Sequence, residues 1–214
     1  MLFRAKLDKV FFSEPPALDF RYYLNNIIQH EECTFFIESL STLKNLLAEK
    51  SIRKENPVLR FLVDLDGTAW FARETYPGIQ APKHFQMTGE SQQNASCRTA
   101  GNIKFTRSDC SVLKTLNHRS GDFQPSFHSL RLFIAILVLN EERLPFKLPR
   151  ILVVKELNNN GDVAYKHKWP VVQIREWILS FIDNEDLVMR LKKQDAGIKK
   201  VHYKAHINEL CNEV

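Results

Sequence analysis

Val58-Leu59-Arg60-Phe61-Leu62-Val63-Asp64-Leu65-Asp66-Gly67-Thr68-Ala69-Trp70-Phe71-Ala72 is the stretch whose reading decides the fold. Two apolar runs rich in β-branched and aromatic residues flank Asp66-Gly67. Asp-Gly is favoured in a two-residue type I′ hairpin, because both central residues then need positive φ. The stretch therefore predicts a β-hairpin with strands over 58–65 and 68–72. On this reading Asp64 to Thr68 is a structural corner, and the middle of the chain belongs to an antiparallel sheet.

Upstream, Leu24, Ile27 and Ile28, then Phe36, Leu40, Leu43 and Leu47, recur at helical spacing and predict two helices split near Glu31 to Thr34. Asn56-Pro57 closes that pattern, since a residue before proline is pushed out of the α region. Downstream, residues 73 to 125 have no helical period and carry β-like pieces at Asn102 to Thr106 and Val112 to Asn117. A helix apolar almost all round is predicted over about 127–140, with Leu130, Phe133, Ile134, Leu137 and Leu139, and such a helix belongs in the core. A second hairpin runs from Arg150 to Val154 through Asn158-Asn159-Asn160-Gly161 to Val163-Ala164-Tyr165. Pro170 then opens a helix with Ile174, Trp177, Ile178, Phe181 and Ile182 on one face, and Asp183 or Asn184 caps its successor. Val201, Tyr203, Ala205 and Ile207 alternate with polar residues as a half-buried strand.

The expected fold is α+β: an antiparallel sheet or partial barrel with a buried central helix and C-terminal helices. Residues 1–56 form a helical N-terminal extension to a domain over 57–214.

The chain has 214 residues, enough to bury a sizeable core, and its longest apolar run, Leu132 to Leu139, is too short to span a bilayer. Phe11-Phe12-Ser13-Glu14-Pro15-Pro16 interrupts any secretory signal. Cys33, Cys97, Cys110 and Cys211 are scattered without metal-ligand spacing, so reduced thiols, no structural metal and a soluble intracellular protein are expected. The net charge of +5 comes largely from Arg190, Lys192, Lys193, Lys199, Lys200 and Lys204. That run reads as a solvated face before it reads as a patch for nucleic acid or anionic lipid.

Phe61 to Thr68 matches the first motif of the haloacid-dehalogenase-like phosphatases, in which an apolar strand leads into Asp-x-Asp-Gly-Thr. The resemblance implies Asp64 as nucleophile and magnesium ligand and Asp66 as general acid/base. Those enzymes also need βαβ crossovers, and residues 73 to 125 offer no crossover helix.

A second resemblance covers roughly residues 60 to 145. Phe85-Gln86-Met87-Thr88, Thr99-Ala100-Gly101-Asn102-Ile103 and Ser120-Gly121-Asp122-Phe123-Gln124-Pro125, followed by an apolar helix, stand in the order found in the globular region of plant IQ-motif calmodulin-binding proteins. There a hairpin precedes a Phe-x-His-Ser-Ser-Phe segment, an Ala-Ala-Gly segment and a Ser-Gly-His-Tyr-x-Pro segment. The family's two histidines fall here on Met87 and Asp122, and no IQ-type helix is present. Similar segments occur in bacterial toxin-like proteins. The chain also resembles effectors that intracellular pathogens such as Legionella deliver into host cells. The resemblance implies a module that binds a host protein, without cofactor, located in the cytoplasm or secreted into a host cell.

Three residue sets remain as candidate chemistry. His84 and Cys97 could form an imidazole-thiolate pair oriented by Asn102 or Asp122. His118 could pin a turn. The segment His118-Arg119-Ser120-Gly121-Asp122 could bind a small anion through the Ser120-Gly121 amides and Arg119, or serve as a structural corner packed by Phe123.

Overall fold

In a computed structural model, which describes residues 16–19, 31–49, 57–74, 81–91, 93–106, 109–180 and 185–205, the 58–72 stretch forms the centre of the fold. Strand β3 (Val58–Val63) pairs antiparallel with β4 (Ala69–Arg73) on one side and with β6 (Thr99–Phe105) on the other. Both faces of β3 and β4 are covered, which is why these runs read as nearly continuous apolar sequence rather than as alternation. Leu59, Phe61, Val63, Ala69 and Phe71 join one core, while Leu62, Trp70 and Ala72 join a second core across the sheet.

The remaining strands are β1 (Leu18–Asp19), β2 (Glu31–Ser39), β5 (Ser96–Cys97), β7 (Leu113–Asn117), β8 (Ile151–Leu157), β9 (Val163–Pro170) and β10 (Ile198–Ala205). One eight-stranded sheet runs β10-β2-β4-β3-β6-β7-β8-β9, and β1 pairs with β5 in a small separate ladder. Among the described residues the α-helices are α1 (Leu43–Ala48), α2 (His84–Met87), α3 (Leu130–Leu139), α4 (Val171–Ser180) and α5 (Glu185–Lys192).

Four features of the expected fold are overturned. The sheet is mixed, because β7 and β8 pair in parallel (Thr115↔Val153, Asn117↔Lys155) while the other pairs are antiparallel. It does not close into a barrel, since β9 and β10 stand at opposite edges. The sheet, not a helix, occupies the middle: α3 lies on one face, where the Phe133 ring stacks on Phe61 at 3.7 Å, and α4 and α5 pack on α3. The helical N-terminal extension is corrected as well. Glu31–Ser39 is a strand paired with both β4 and β10, and among the described residues before Pro57 helix is confined to Leu43–Ala48.

The physical reason for that last difference lies in Phe35 and Ile37, which are buried while Thr34 and Phe36 are exposed. That is period two, and a Phe36-to-Leu40 spacing of four fits a strand as well as a helix. The earlier helix expected around Leu24 to Ile28, and the cap at Asp183 or Asn184, fall outside the described residues.

The second hairpin forms as expected, β8 against β9 with Asn158 to Gly161 in the turn. The helix after Pro170 and the late strand also form, and β10 pairs in full with β2. Among the described residues no helix is long and apolar enough to cross a membrane.

Candidate functional site

The Asp64 to Thr68 turn is a hairpin corner with a different geometry from the one expected. Val63 pairs with Ala69, the Gly67 amide donates to the Asp64 carbonyl (3.2 Å) and the Asp64 amide to the Thr68 carbonyl (3.0 Å). Only Gly67 has positive φ here (+87°), so the loop is a type I turn closed by a glycine bulge, not a two-residue type I′ turn. Asp64 holds it: Oδ1 accepts from the Asp66 and Thr68 amides (3.0 and 2.9 Å) and Oδ2 from the Trp70 indole (2.8 Å). Gln194, fully buried, accepts from the Ala69 amide (2.8 Å) and donates to the Gly67 carbonyl (2.9 Å), clamping the corner from beyond α5. Asp66 is exposed at the tip. Among the described residues no cluster of three or more His, Cys, Asp or Glu is placed to hold a metal ion.

His84 and Cys97 are both buried but are not bonded to each other. His84 Nε2 donates to the Gly101 carbonyl (3.0 Å), and burial, reinforced by the Arg60 charge, pushes the imidazole down to about 3. Cys97 packs in the second core, where burial and the nearby Asp122 carboxylate hold the thiol well above its ordinary range. A thiol held protonated and an imidazole this weakly basic, bonded to the Gly101 carbonyl and not to the thiol, do not make a nucleophile and its base.

His118 pins a turn. Its Nδ1 donates to the Pro125 carbonyl (2.8 Å) and its Nε2 accepts from the Leu157 amide (2.9 Å), fastening the loop after β7 to the end of β8. Asn117 Oδ1 accepts from the Arg119 amide (2.9 Å), Ser120 Oγ from the Phe123 amide (3.3 Å), and buried Phe123 anchors the segment in the second core. Gln124, just before Pro125, sits at φ +44°, a conformation that costs a non-glycine residue of order 1 kcal/mol or more.

This loop is the shared wall of two clefts. One, of about 400 Å³, is lined by Arg60, Glu74, Lys83, His84, Asn102 and the Arg119 to Gln124 loop; the other, of about 330 Å³, lies between the loop and the Asn158 to Gly161 turn. Of the candidates from sequence, the structure brings His84, Asn102, Arg119, Ser120, Gly121 and Asp122 to the first cleft. It leaves Asp64 and Asp66 on a hairpin corner that is not part of it. Of the segments that carry the second resemblance, the second and third line this cleft through Asn102 and Ser120 to Gln124, and the first touches it through the Phe85 amide, which donates to Asp122 (3.3 Å).

Sequence reasoning missed Arg60 and Lys83, and gave Asn102 only as an orienter of the His84–Cys97 pair. Arg60 alone left a trace, a charge inside an apolar strand. In β3 it is registered opposite Asn102, which is registered opposite Asn117. Arg60 donates to the Ala81 and Pro82 carbonyls, which fixes the guanidinium at the mouth. Lys83 is half-buried, and burial lowers its ammonium's affinity for a proton; Asp122 raises it and Arg60 lowers it further. Burial raises Asp122, against the His84 and Phe85 amides and the Lys83 and Arg60 charges. Asn102, 7 % exposed, donates to Glu74 (3.2 Å), while its Oδ1 is buried with no partner among the described residues.

Comparison of the chain with protein families, with curated proteins and with solved structures gave no match.

Proposed function

We propose that the protein is a binding domain for a small anionic ligand, a phosphate monoester or similar group with a neighbouring hydroxyl or amine, and that the Arg60–Lys83–Asn102–Arg119 cleft is its site. The observation that carries this reading is Asn102. Asn102 lines the cleft and its Oδ1 is buried without a partner among the described residues, which costs about 1–3 kcal/mol; a ligand donor entering the cleft would supply the missing bond.

Charge supports the anion. Three cations and two carboxylates line the cleft, and both carboxylates are already engaged, Glu74 by Asn102 and Asp122 by the His84 and Phe85 amides. Arg119 is exposed, with no side-chain partner among the described residues, and is free to close on a ligand. The effector-type reading, in which the domain engages a host protein, rests on the resemblance alone; the converging cations support the small anion and the buried Asn102 carbonyl its neighbouring hydroxyl or amine.

Thermal unfolding with orthophosphate and with glycerol phosphate tests this directly. Both should raise the melting temperature of the wild type, the monoester more. Arg119→Gln and Asn102→Ala should remove the shift, Arg119→Gln without lowering the baseline. Equal stabilisation of wild type and Arg119→Gln, or none by either ligand, overturns the proposal.

A further inference from the structure

The strand register carries the cleft outward along one face of the sheet. Asn102 stands opposite Asn117, Asn117 beside Lys155, and Lys155 opposite Lys166, so a single row runs from Arg60 through Asn102 to the β9 edge. The adjacent row reads Lys104, Thr115, Val153 and Lys168. Opposed residues share a face, so Lys104, Lys155, Lys166 and Lys168 form one basic patch continuous with the cleft.

Three features mark this patch as more than a solvated face. None of the four lysines makes an ion pair or side-chain hydrogen bond among the described residues. The only carboxylate within β6 to β9, Glu156, is turned to the other face, where it meets His167 (2.7 Å). Lys155 directly opposite Lys166 is a like-charge cross-strand pair, which destabilises a sheet that gains nothing from it.

We infer that the ligand of the cleft is an oligophosphate, with one terminal group held by Arg60, Lys83 and Arg119 and its phosphate chain lying along Asn117, Lys155 and Lys166. The inference rests on the reading of the cleft as an anion site and extends it to the class of ligand. From β6 to β9 is three strand spacings, about 14 Å, a span for several linked phosphates. A single-stranded nucleic acid carries the same repeating charge but needs stacking platforms beside it. The aromatic residues of β9, Tyr165, His167 and Trp169, alternate onto the opposite face, where His167 and Trp169 pack around Phe127.

Calorimetric titration at constant ionic strength compares orthophosphate, pyrophosphate, tripolyphosphate, oligothymidylate and poly-glutamate. Affinity should climb from orthophosphate to tripolyphosphate by tenfold or more. The double variant Lys155→Gln/Lys166→Gln should lose that gain while its orthophosphate affinity stays within twofold. Lys193→Gln/Lys200→Gln removes the same charge elsewhere and should keep the gain.

Affinity independent of chain length, a gain that survives Lys155→Gln/Lys166→Gln, or an equal loss in the control variant overturns the inference while leaving the cleft as an anion site. Tighter binding of oligothymidylate or poly-glutamate than of tripolyphosphate overturns it in favour of that polymer. Orthophosphate affinity unchanged by Arg119→Gln overturns the cleft reading itself.

Discussion

Asp64→Asn separates a structural corner from a catalytic carboxylate. Asp64 accepts three hydrogen bonds, from the Asp66 and Thr68 amides on Oδ1 and from the Trp70 indole on Oδ2, and Trp70 is 7 % exposed. Asparagine is nearly isosteric but carries one acceptor and one donor arm. With its oxygen toward the amides, its NH2 faces the indole N–H; turned round, its NH2 faces both amides. Either way at least one donor meets a donor, the partly buried indole in the first arrangement and the two loop amides in the second, and a charge-assisted bond is lost, for a cost of about 2–3 kcal/mol. For a chain of this size that corresponds to a fall in melting temperature of roughly 4–12 °C. The assay is thermal and urea unfolding of wild type, Asp64→Asn, Trp70→Phe and the double variant. Because Trp70→Phe removes the indole donor, Asp64→Asn should cost at least about 1 kcal/mol less in that background. An unchanged melting temperature in Asp64→Asn, or strict additivity in the cycle, refutes the account of the corner.

Other substitutions report on the supports of the site. Gly101→Ala places a Cβ 2.0 Å from the Asn117 carbonyl oxygen and 2.9 Å from the Phe61 ring; backbone must move, and soluble expression or melting temperature should fall sharply, by about 3 kcal/mol or more. Gln194→Leu strands the Ala69 amide and the Gly67 carbonyl in a buried position, for a loss of about 2–4 kcal/mol read from urea unfolding, with Gln194→Glu restoring only the bond to the Ala69 amide. His84, held down to about 3 against an unfolded value near 6.5, contributes stability that is complete above pH 6.5 and drains away as pH falls toward 3. Between pH 7 and 5 the wild type should therefore lose about 2 kcal/mol relative to His84→Gln, and parallel pH profiles for the two would show that His84 takes up its proton freely in the folded state.

Local chemistry made the hairpins legible and left the sheet order hidden. The β3–β4 and β8–β9 pairs announce themselves through Asp66-Gly67 and Asn160-Gly161, and the α3 helix through an apolar run with no polar face. The turn type at Gly67 escaped because Asp64, two residues before Asp66, accepts the loop amides and thereby favours the longer loop. The Phe36 to Leu47 stretch misled because spacings of four and seven satisfy a helix while Phe35 and Ile37, buried together, satisfy a strand. That ambiguity is resolved only by what lies alongside, and β2 becomes a strand because β4 and β10 pair with it. Of the site, the His118 to Asp122 segment was visible as a turn. Arg60 and Lys83 were not, and Asn102 was named only as an orienter of His84, because these residues meet only through the β3–β6 register and the α2 turn, contacts between residues far apart in sequence.

The position of the cleft follows from the one parallel pair in the sheet. β6 and β7 are antiparallel neighbours, but the chain leaving β7 at Asn117 does not turn back beside it; it crosses one face as α3 and returns in β8, parallel to β7. Parallel neighbours end on the same side, so Asn117 and Leu157 finish together with no hairpin to join them, and the 118–125 loop must depart between them. Open α/β sheets bind ligands at carboxyl ends of strands where adjacent chains depart in different directions, and here the departing loop has a cleft on each side. His118 holds the loop to β8 through the Leu157 amide, Phe123 holds it to the second core, and Asp122 holds it to α2. The wall of the cleft is thus fixed from three directions by groups that leave Arg119 unspent. That economy is what a preorganised anion site requires, and it explains why the single charge inside the apolar β3 strand, Arg60, stands where it does.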